Sequence, residues 1–251
     1  MTENKKLKLI LNGASGRMGG EVRKLIELRG AELGIEYAGG ADPRGQGGCP
    51  KLSEAEFAAD VAVDFSFHSC IAEFLTFALA KKMPVVIATT GHTAEELEMI
   101  RKAAETIPVF HASNLSLGVA LLVEFAKKAA AAFPDADIEI VETHHNRKAD
   151  VPSGTAMTLA HAVAEAREGS EIAIGRTEWG KRKPGEVTVH ALRMGNIAGQ
   201  HEVHITTDHQ QLTLRHEAYD RTLFAEGAMS AARFIVGKTA GLYNMEDMIH
   251  G

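Results

Sequence analysis

The sequence predicts an α/β fold in two parts, a doubly wound parallel sheet followed by a second α+β domain. Three observations carry this. Through the first half, short apolar runs alternate with helix-length segments, as a parallel sheet covered by helices requires. In the second half, three β-rich runs follow one another with little helix between them, which points to a mostly antiparallel or mixed sheet. The first apolar run also ends in a glycine-rich loop that opens a helix.

In chain order, "LKLILNG" reads as a buried strand, and "RMGGEVRKLIELRG" after it has apolar residues at helical spacing. "IEYAGGAD", "VAVDFSF", "PVVIATTG" and "IPVFHASN" are further short strands, with "SCIAEFLTFALAKK" and "AEELEMIRKAAET" as helices between them. A boundary is expected near Leu115 to Gly118, where the long helix "LGVALLVEFAKKAAAAF" begins. The strand "DIEIVETHH" and the helix "SGTAMTLAHAVAEAREG" come next. The β-rich runs are "EVTVHALRM", "IAGQHEVHITT" and "QLTLRHEAY". A last helix, "TLFAEGAMSAARFIVG", and a glycine-containing tail close the chain.

Composition narrows the function. The 251 residues are 45% hydrophobic and 24% charged, the balance of an ordinary globular protein with a sizeable core. A formal net charge of −6 leaves no Lys/Arg excess to displace counterions, so nucleic acid is not an expected partner. The two cysteines, Cys49 and Cys70, form neither a CxxC pair nor a disulfide framework. The N-terminal segment lacks a signal-peptide pattern, and no apolar run approaches the ~20 residues of a membrane helix. A soluble, cytoplasmic protein is expected. The twelve histidines do not fall into a metal-ligand pattern: "HEVH" at His201 to His204 is strand-like, unlike the helical HExxH arrangement. No metal is expected.

The loop "NGASGRMGG" places Gly13, Gly16 and Gly19 at three-residue intervals. Glycine lets the backbone turn and approach a pyrophosphate, and the next helix points its free N–H groups and positive dipole end at the phosphates. Asp42 follows at the end of the second strand, where a carboxylate binds the ribose hydroxyls of a dinucleotide. The pattern is that of a Rossmann-like domain.

The densest chemistry lies in "VETHHNRKADVPSGTA", Val141 to Ala156, where a strand enters a loop that leads into a helix. Ser153 is a good N-cap, while Ala156 stands where a capping box needs Glu or Gln. First-turn N–H groups, including those of Gly154 and Thr155, are therefore expected to be available to a carboxylate. His145 and Lys148 add positive charge from the loop, and the segment reads as a holder for an anionic substrate beside a proton donor.

This segment resembles the signature of the 4-hydroxy-tetrahydrodipicolinate reductase (dihydrodipicolinate reductase) family, Glu-x-His-His-x-x-Lys-x-Asp-x-Pro-Ser-Gly-Thr-Ala. The chain carries it as Glu142, His144, His145, Lys148, Asp150, Pro152, Ser153, Gly154, Thr155 and Ala156. "GASGRMG", "VDFS", "VIATTG", "ASNLSLGV" and "LRMGNIAGQHEV" extend the resemblance over essentially the whole chain. Two departures stand out: Phe67 and His68 replace an Arg-Pro common in the family, and Leu115 stands where others carry Phe.

The resemblance implies NAD(P)H-dependent reduction, with loss of water, of a cyclic imine dicarboxylate in lysine and diaminopimelate biosynthesis. It implies a dinucleotide-binding domain of residues 1–116 plus 226–251, and a substrate-binding and tetramerisation domain of residues 117–225. His144 would be the proton donor and acceptor and Lys148 a second donor, both at the loop. His145 with Ser153, Gly154 and Thr155 would bind substrate. Gly13, Ala14, Ser15, Gly16, Arg17 and Met18 would wrap the pyrophosphate. Ala88, Thr89 and Thr90, then Ala112, Ser113, Asn114 and Leu115, would line the nicotinamide side.

Pro43 stands where many members place an arginine after the acidic residue, so NADH is the expected preference over NADPH, with Arg44 partly compensating. Two other readings share parts of the pattern. A different two-domain dehydrogenase of an amino or semialdehyde acid needs the glycine loop but not the His-His-Lys cluster. A non-catalytic dinucleotide sensor has no use for Lys148.

Overall fold

The computed structural model describes residues 6–42, 51–54, 58–177 and 179–251. Pro43, Arg44 and Cys49 lie outside the described residues. The chain divides into two compact units, Met1–Ser116 with Arg221–Gly251, and Leu117–Asp220.

The first unit is a six-stranded sheet of β1 (Leu7–Asn12), β2 (Ile35–Ala41), β3 (Val61–Asp64), β4 (Val85–Ile87), β5 (Pro108–His111) and β11 (Gly241–Tyr243). The order is β11-β5-β4-β3-β1-β2, and every neighbouring pair is parallel. The helices are α1 (Arg17–Leu33), α2 (Ile71–Lys81), α3 (Ala94–Ala104), α6 (Thr222–Ile235) and α7 (Met245–His250).

Period-2 alternation in buried strands sends successive side chains to opposite faces. Ile10, Ala62, Val85, Ile87 and Val109 join Phe74, Phe77 and Ile100 of α2 and α3 in one core. The other face belongs to α1 and α6, which pack on each other. The chain leaves β1 for β2 on one side and then crosses to β3 on the other, which creates a switch point at the carboxyl ends of β1 and β3.

The second unit contains α4 (Leu117–Ala132), β6 (Asp137–His144), α5 (Gly154–Glu165), β7 (Glu171–Ile174), β8 (Glu186–Arg193), β9 (Gly199–Thr206) and β10 (Gln211–Ala218). The sheet order is β10-β9-β6-β8-β7, with β6–β8 and β7–β8 parallel and β6–β9 and β9–β10 antiparallel. It is a mixed sheet. Ile138, Ile140, Val187, Val189, Val203 and Ile205 face α4 and α5, against Leu122, Leu159 and Val163. β9 shows the division most clearly: His201, Val203 and Ile205 are buried and alternate with partly exposed Gln200, Glu202, His204 and Thr206.

Two strands are additions to the sequence reading. β7 has four residues and β11 three. Each is too short for an alternation to show, and Gly241 opens β11 in what reads as a tail. Among the described residues, no helix is long and apolar enough to cross a membrane.

Candidate active site

In the first unit, the loops after β1, β3, β4 and β5 leave the carboxyl ends of neighbouring parallel strands. Gly13 has φ +82°, and a Cβ there would lie 2.5 Å from the Phe65 carbonyl oxygen, so only glycine fits. A Cβ at Gly19 would overlap the Gly13 carbonyl, so the start of α1 sits directly on the loop.

The loop consumes most of its own donors. The N–H groups of Gly13 and Ala14 donate to Ala41 O at 2.9 and 3.2 Å, and that of Gly16 to Gly13 O at 3.0 Å. The Ser15 N–H donates to Asp42 Oδ2 at 3.1 Å, and the Ser15 hydroxyl donates to the same oxygen. Helix α1 starts from Gly16 with no side-chain cap and no acidic residue in its first turn. Arg17 and Met18 therefore present N–H groups with no acceptor among the described residues, the donor set a pyrophosphate uses. Asp42 is 5% exposed at the end of β2, and one of its oxygens is committed to closing this loop. These residues fit a dinucleotide.

Of the nicotinamide-side residues, Ala88 donates its N–H to Asp64 O at 3.0 Å, and Thr89 donates its hydroxyl to Asp64 Oδ2 at 2.6 Å. Thr90 and Ser113 are exposed, Ala112 is half-buried, and Leu115 is buried. Asn114 Oδ1 accepts the Ser116 N–H at 2.9 Å. At the departure from the family pattern, His68 Nδ1 pairs with Glu96 at 2.9 Å while Phe67 is exposed.

In the second unit, alternation along β6 carries the apolar positions Ile138 and Ile140 on to Glu142 and His144, on the same helix-covered face. His144 is the last residue of the strand and 9% exposed, so it belongs to the sheet rather than to the loop. Glu142 is fully buried. Its Oε2 lies 2.5 Å from His144 Nδ1, and Arg193 of β8 donates to both carboxylate oxygens at 2.9 and 2.7 Å. The Ser153 N–H donates to Oε1 at 3.0 Å.

Burial alone would raise the Glu142 pKa, but Arg193, His144 and the Ser153 N–H together hold it below the usual carboxylate value. His144 is pushed down chiefly by burial, with Lys148 and Arg193 adding to that and Glu142 opposing it. An ionised Glu142 accepts a hydrogen bond from Nδ1–H, which leaves Nε2 to exchange a proton with a ligand.

Ser153 caps α5, its Oγ accepting the Ala156 N–H at 3.2 Å. The same Oγ is 3.1 Å from Nε2 of His201, a ring 4% exposed and edge-on to His144 at 5.2 Å between centroids. Burial and the neighbouring His144 depress the His201 pKa to about 4, so the ring is neutral, and its Nε2 shares a hydrogen bond with the Ser153 hydroxyl. Gly154 opens the helix with nothing within 4 Å of where a Cβ would stand. Thr155 follows it in the first turn. Lys148 Nζ pairs with Asp150 Oδ1 at 2.8 Å, and His145 Nδ1 is buried with no hydrogen-bond partner.

The sequence reading assigned no role to Glu142 or Arg193, although both stand in stretches that carry the family resemblance. The signal for Glu142 was its position two residues before His144 on a strand. Arg193 is paired with His144 in the β6–β8 register, a parallel crossover pairing that local sequence does not reveal.

A dinucleotide-binding unit joined in one chain to a unit with a buried acid–base cluster defines a two-domain NAD(P)-dependent oxidoreductase. Residues 7–115 match the family described as "Dihydrodipicolinate reductase, N-terminus", and residues 118–249 match "Dihydrodipicolinate reductase, C-terminus". The chain belongs to the dihydrodipicolinate reductase family.

It is 40% identical over 249 residues to the 4-hydroxy-tetrahydrodipicolinate reductase of Caldanaerobacter subterraneus, covering 97% of this chain and 98% of that one. It is 36% identical over 251 residues to the Clostridium perfringens protein of the same name, covering 97% and 98%. The dipicolinate-bound dihydrodipicolinate reductase of Paenisporosarcina sp. superposes with a TM-score of 0.75 at 26% identity, covering 95% of this chain and 97% of that one.

Proposed function

We propose that the protein reduces 4-hydroxy-tetrahydrodipicolinate to tetrahydrodipicolinate, with loss of water, at the expense of NADH or NADPH, in lysine and diaminopimelate biosynthesis. The observation that carries this is the Glu142–His144–Arg193 cluster beside the start of α5, in a chain of this family. The bound nicotinamide supplies the hydride. Everything else is asked of the protein.

Arg17 and Met18 hold the pyrophosphate through their N–H groups. Thr89 and Thr90, with Ser113 and Asn114, hold the nicotinamide end. The Gly154 N–H and Thr155 receive a substrate carboxylate, with His145 and Lys148 adding donors. His144 Nε2 takes or gives a proton while Glu142 holds Nδ1, and the Lys148 ammonium supplies the second proton. Glu142 and His144 are both buried, which strengthens the interaction between them.

The outer face of the second sheet carries Arg182 with Asp137, Glu139 with His190, and Arg215 with Glu202 and Glu217. This polar face, with exposed Leu192, supports assembly of a homotetramer. The cytoplasm is the compartment that such biosynthesis implies.

The test follows nicotinamide absorbance with substrate freshly made from pyruvate and aspartate semialdehyde. Oxidation that needs both condensation partners supports the proposal. Cofactor binding without turnover supports the sensor, and turnover on an amino or semialdehyde acid alone supports the other dehydrogenase.

A further inference from the structure

The run Val63-Asp64-Phe65-Ser66 ends β3 with a carboxylate that the site as described leaves without a role. Asp64 is 1% exposed. Its Oδ1 accepts Asn12 Nδ2–H at 2.7 Å, the Ser66 hydroxyl at 2.5 Å and the Ser66 N–H at 3.3 Å. Its Oδ2 accepts the Thr89 hydroxyl at 2.6 Å. These donors come from the end of β1, the turn after β3 and the loop after β4.

All these partners are neutral, and burial pushes the Asp64 pKa up against them. A carboxylate buried among neutral donors is costly as a structural filler. What it does give is geometry and polarity. The loops it joins are in contact, since Gly13 packs on the Phe65 carbonyl. Because Thr89 spends its hydroxyl proton on Asp64, its oxygen offers a ligand only acceptor lone pairs. A nicotinamide carboxamide carries an N–H donor of the matching kind.

We propose that Asp64 is a positioning residue for the cofactor: it holds the loops after β1, β3 and β4 in register and fixes the Thr89 hydroxyl as an acceptor. This rests on the reading that these loops bind a dinucleotide.

Asp64→Asn tests it with little change of volume. Three donors converge on Oδ1, so the amide oxygen stays there and the NH2 faces Thr89. Thr89 must then accept from the amide, and its own proton turns away. NADH affinity is measured by fluorescence titration of the full chain without substrate, beside the thermal midpoint and the KM for the imine substrate at saturating NADH.

Asp64→Asn and Thr89→Val should each weaken NADH about tenfold, the size of one lost hydrogen bond. The substrate KM should hold within about twofold, and Thr89→Ser should restore affinity. The double variant should bind about as well as either single one, because both break one link. NADH affinity within about twofold of the unmodified protein in Thr89→Val overturns the proposal even if Asp64→Asn does not fold. A double variant about tenfold weaker than either single variant also overturns it. If the unmodified protein binds NADH but leaves the imine unreduced, the substrate assignment fails while Asp64 is still tested by affinity; if it binds neither NADH nor NADPH, both fail.

Discussion

Glu142 Oε2 stands 2.5 Å from His144 Nδ1, two residues along the same strand and on the same face of the sheet. The carboxylate has a second function, since it also neutralises Arg193 and anchors the N–H of Ser153. Glu142→Gln separates these functions. The amide keeps an oxygen for Arg193 or Ser153 but presents N–H to His144, which reverses the imidazole tautomer. We expect kcat to fall on the order of 10²–10⁴, with about 1–3 kcal/mol lost in stability. A kcat within about threefold of the unmodified enzyme would show that the tautomer is irrelevant to turnover.

His144→Ala and Lys148→Ala should each lower kcat by roughly 10²–10⁴. Their effects on stability differ. Lys148 sits on a loop in a pair with the exposed Asp150, so its removal should move stability by about 0.5 kcal/mol or less. His144 closes β6 and is buried, so its loss should cost about 1–2 kcal/mol. Urea titrations beside steady-state kinetics check both. Near-normal turnover of His144→Ala removes it from the mechanism.

How much of this was legible depended on whether a signal was local. The parallel sheet showed in apolar runs such as Leu9–Leu11 and Val85–Ile87, where burial on both faces leaves continuous hydrophobicity. The glycine loop was legible because one turn needs Gly13 for its positive φ. The Glu142 cluster was only partly so: Glu142 and His144 stood together in one motif, but Arg193 arrives from β8 and His201 from β9, brought together by register. Asp64 was hidden for the same reason, its donors Asn12 and Thr89 lying at the end of β1 and in the loop after β4. β11 returns from the far end of the chain to pair with β5, and three residues carry no periodic signal.

Gly154 has open space around its missing Cβ, and its backbone lies outside the left-handed region, so nothing within the protein requires glycine. The requirement would come from the ligand. Gly154→Ala should leave the thermal midpoint unchanged or raise it, since alanine is favoured in a helix by about 1 kcal/mol. The substrate KM should rise about tenfold or more as the methyl group meets the bound carboxylate. An unchanged KM would mean that no substrate group approaches the start of α5.

His201 makes stability depend on pH. Its folded pKa, about 4, lies below the 6.5 of a free imidazole. Between these values the unfolded chain binds more protons, so stability falls as pH drops through this window and is fully present above it. The shift corresponds to on the order of 3 kcal/mol, and His144 is depressed in the same direction. Urea titrations at about pH 7 and about pH 4.5 should show His201→Gln losing less between the two than the unmodified protein. Parallel losses would remove His201 as the cause.

The cofactor preference turns on Asp42. In the structure its Oδ2 accepts from the Ser15 N–H and hydroxyl, so the charge is held at the end of β2 beside the glycine loop. A 2′-phosphate placed near that carboxylate meets like charge, whereas the two hydroxyls of an unphosphorylated ribose are donors to it. Pro43 offers the phosphate neither a charge nor a stacking plane, and Arg44, next along, is the nearest cation in sequence. NADH should therefore be preferred, with NADPH usable. Asp42→Ala should weaken NADH and narrow the gap, while Arg44→Ala should mainly harm NADPH. Because Asp42 also closes the loop, Ser15→Ala is the control: it removes one loop bond but leaves the charge, so both cofactors should weaken alike and their ratio should hold. The quantity to compare is kcat/KM for NADH and NADPH in all four proteins. An advantage of about tenfold for NADPH in the unmodified enzyme, equivalent to about 1.4 kcal/mol in the wrong direction, would show that Asp42 does not govern the choice.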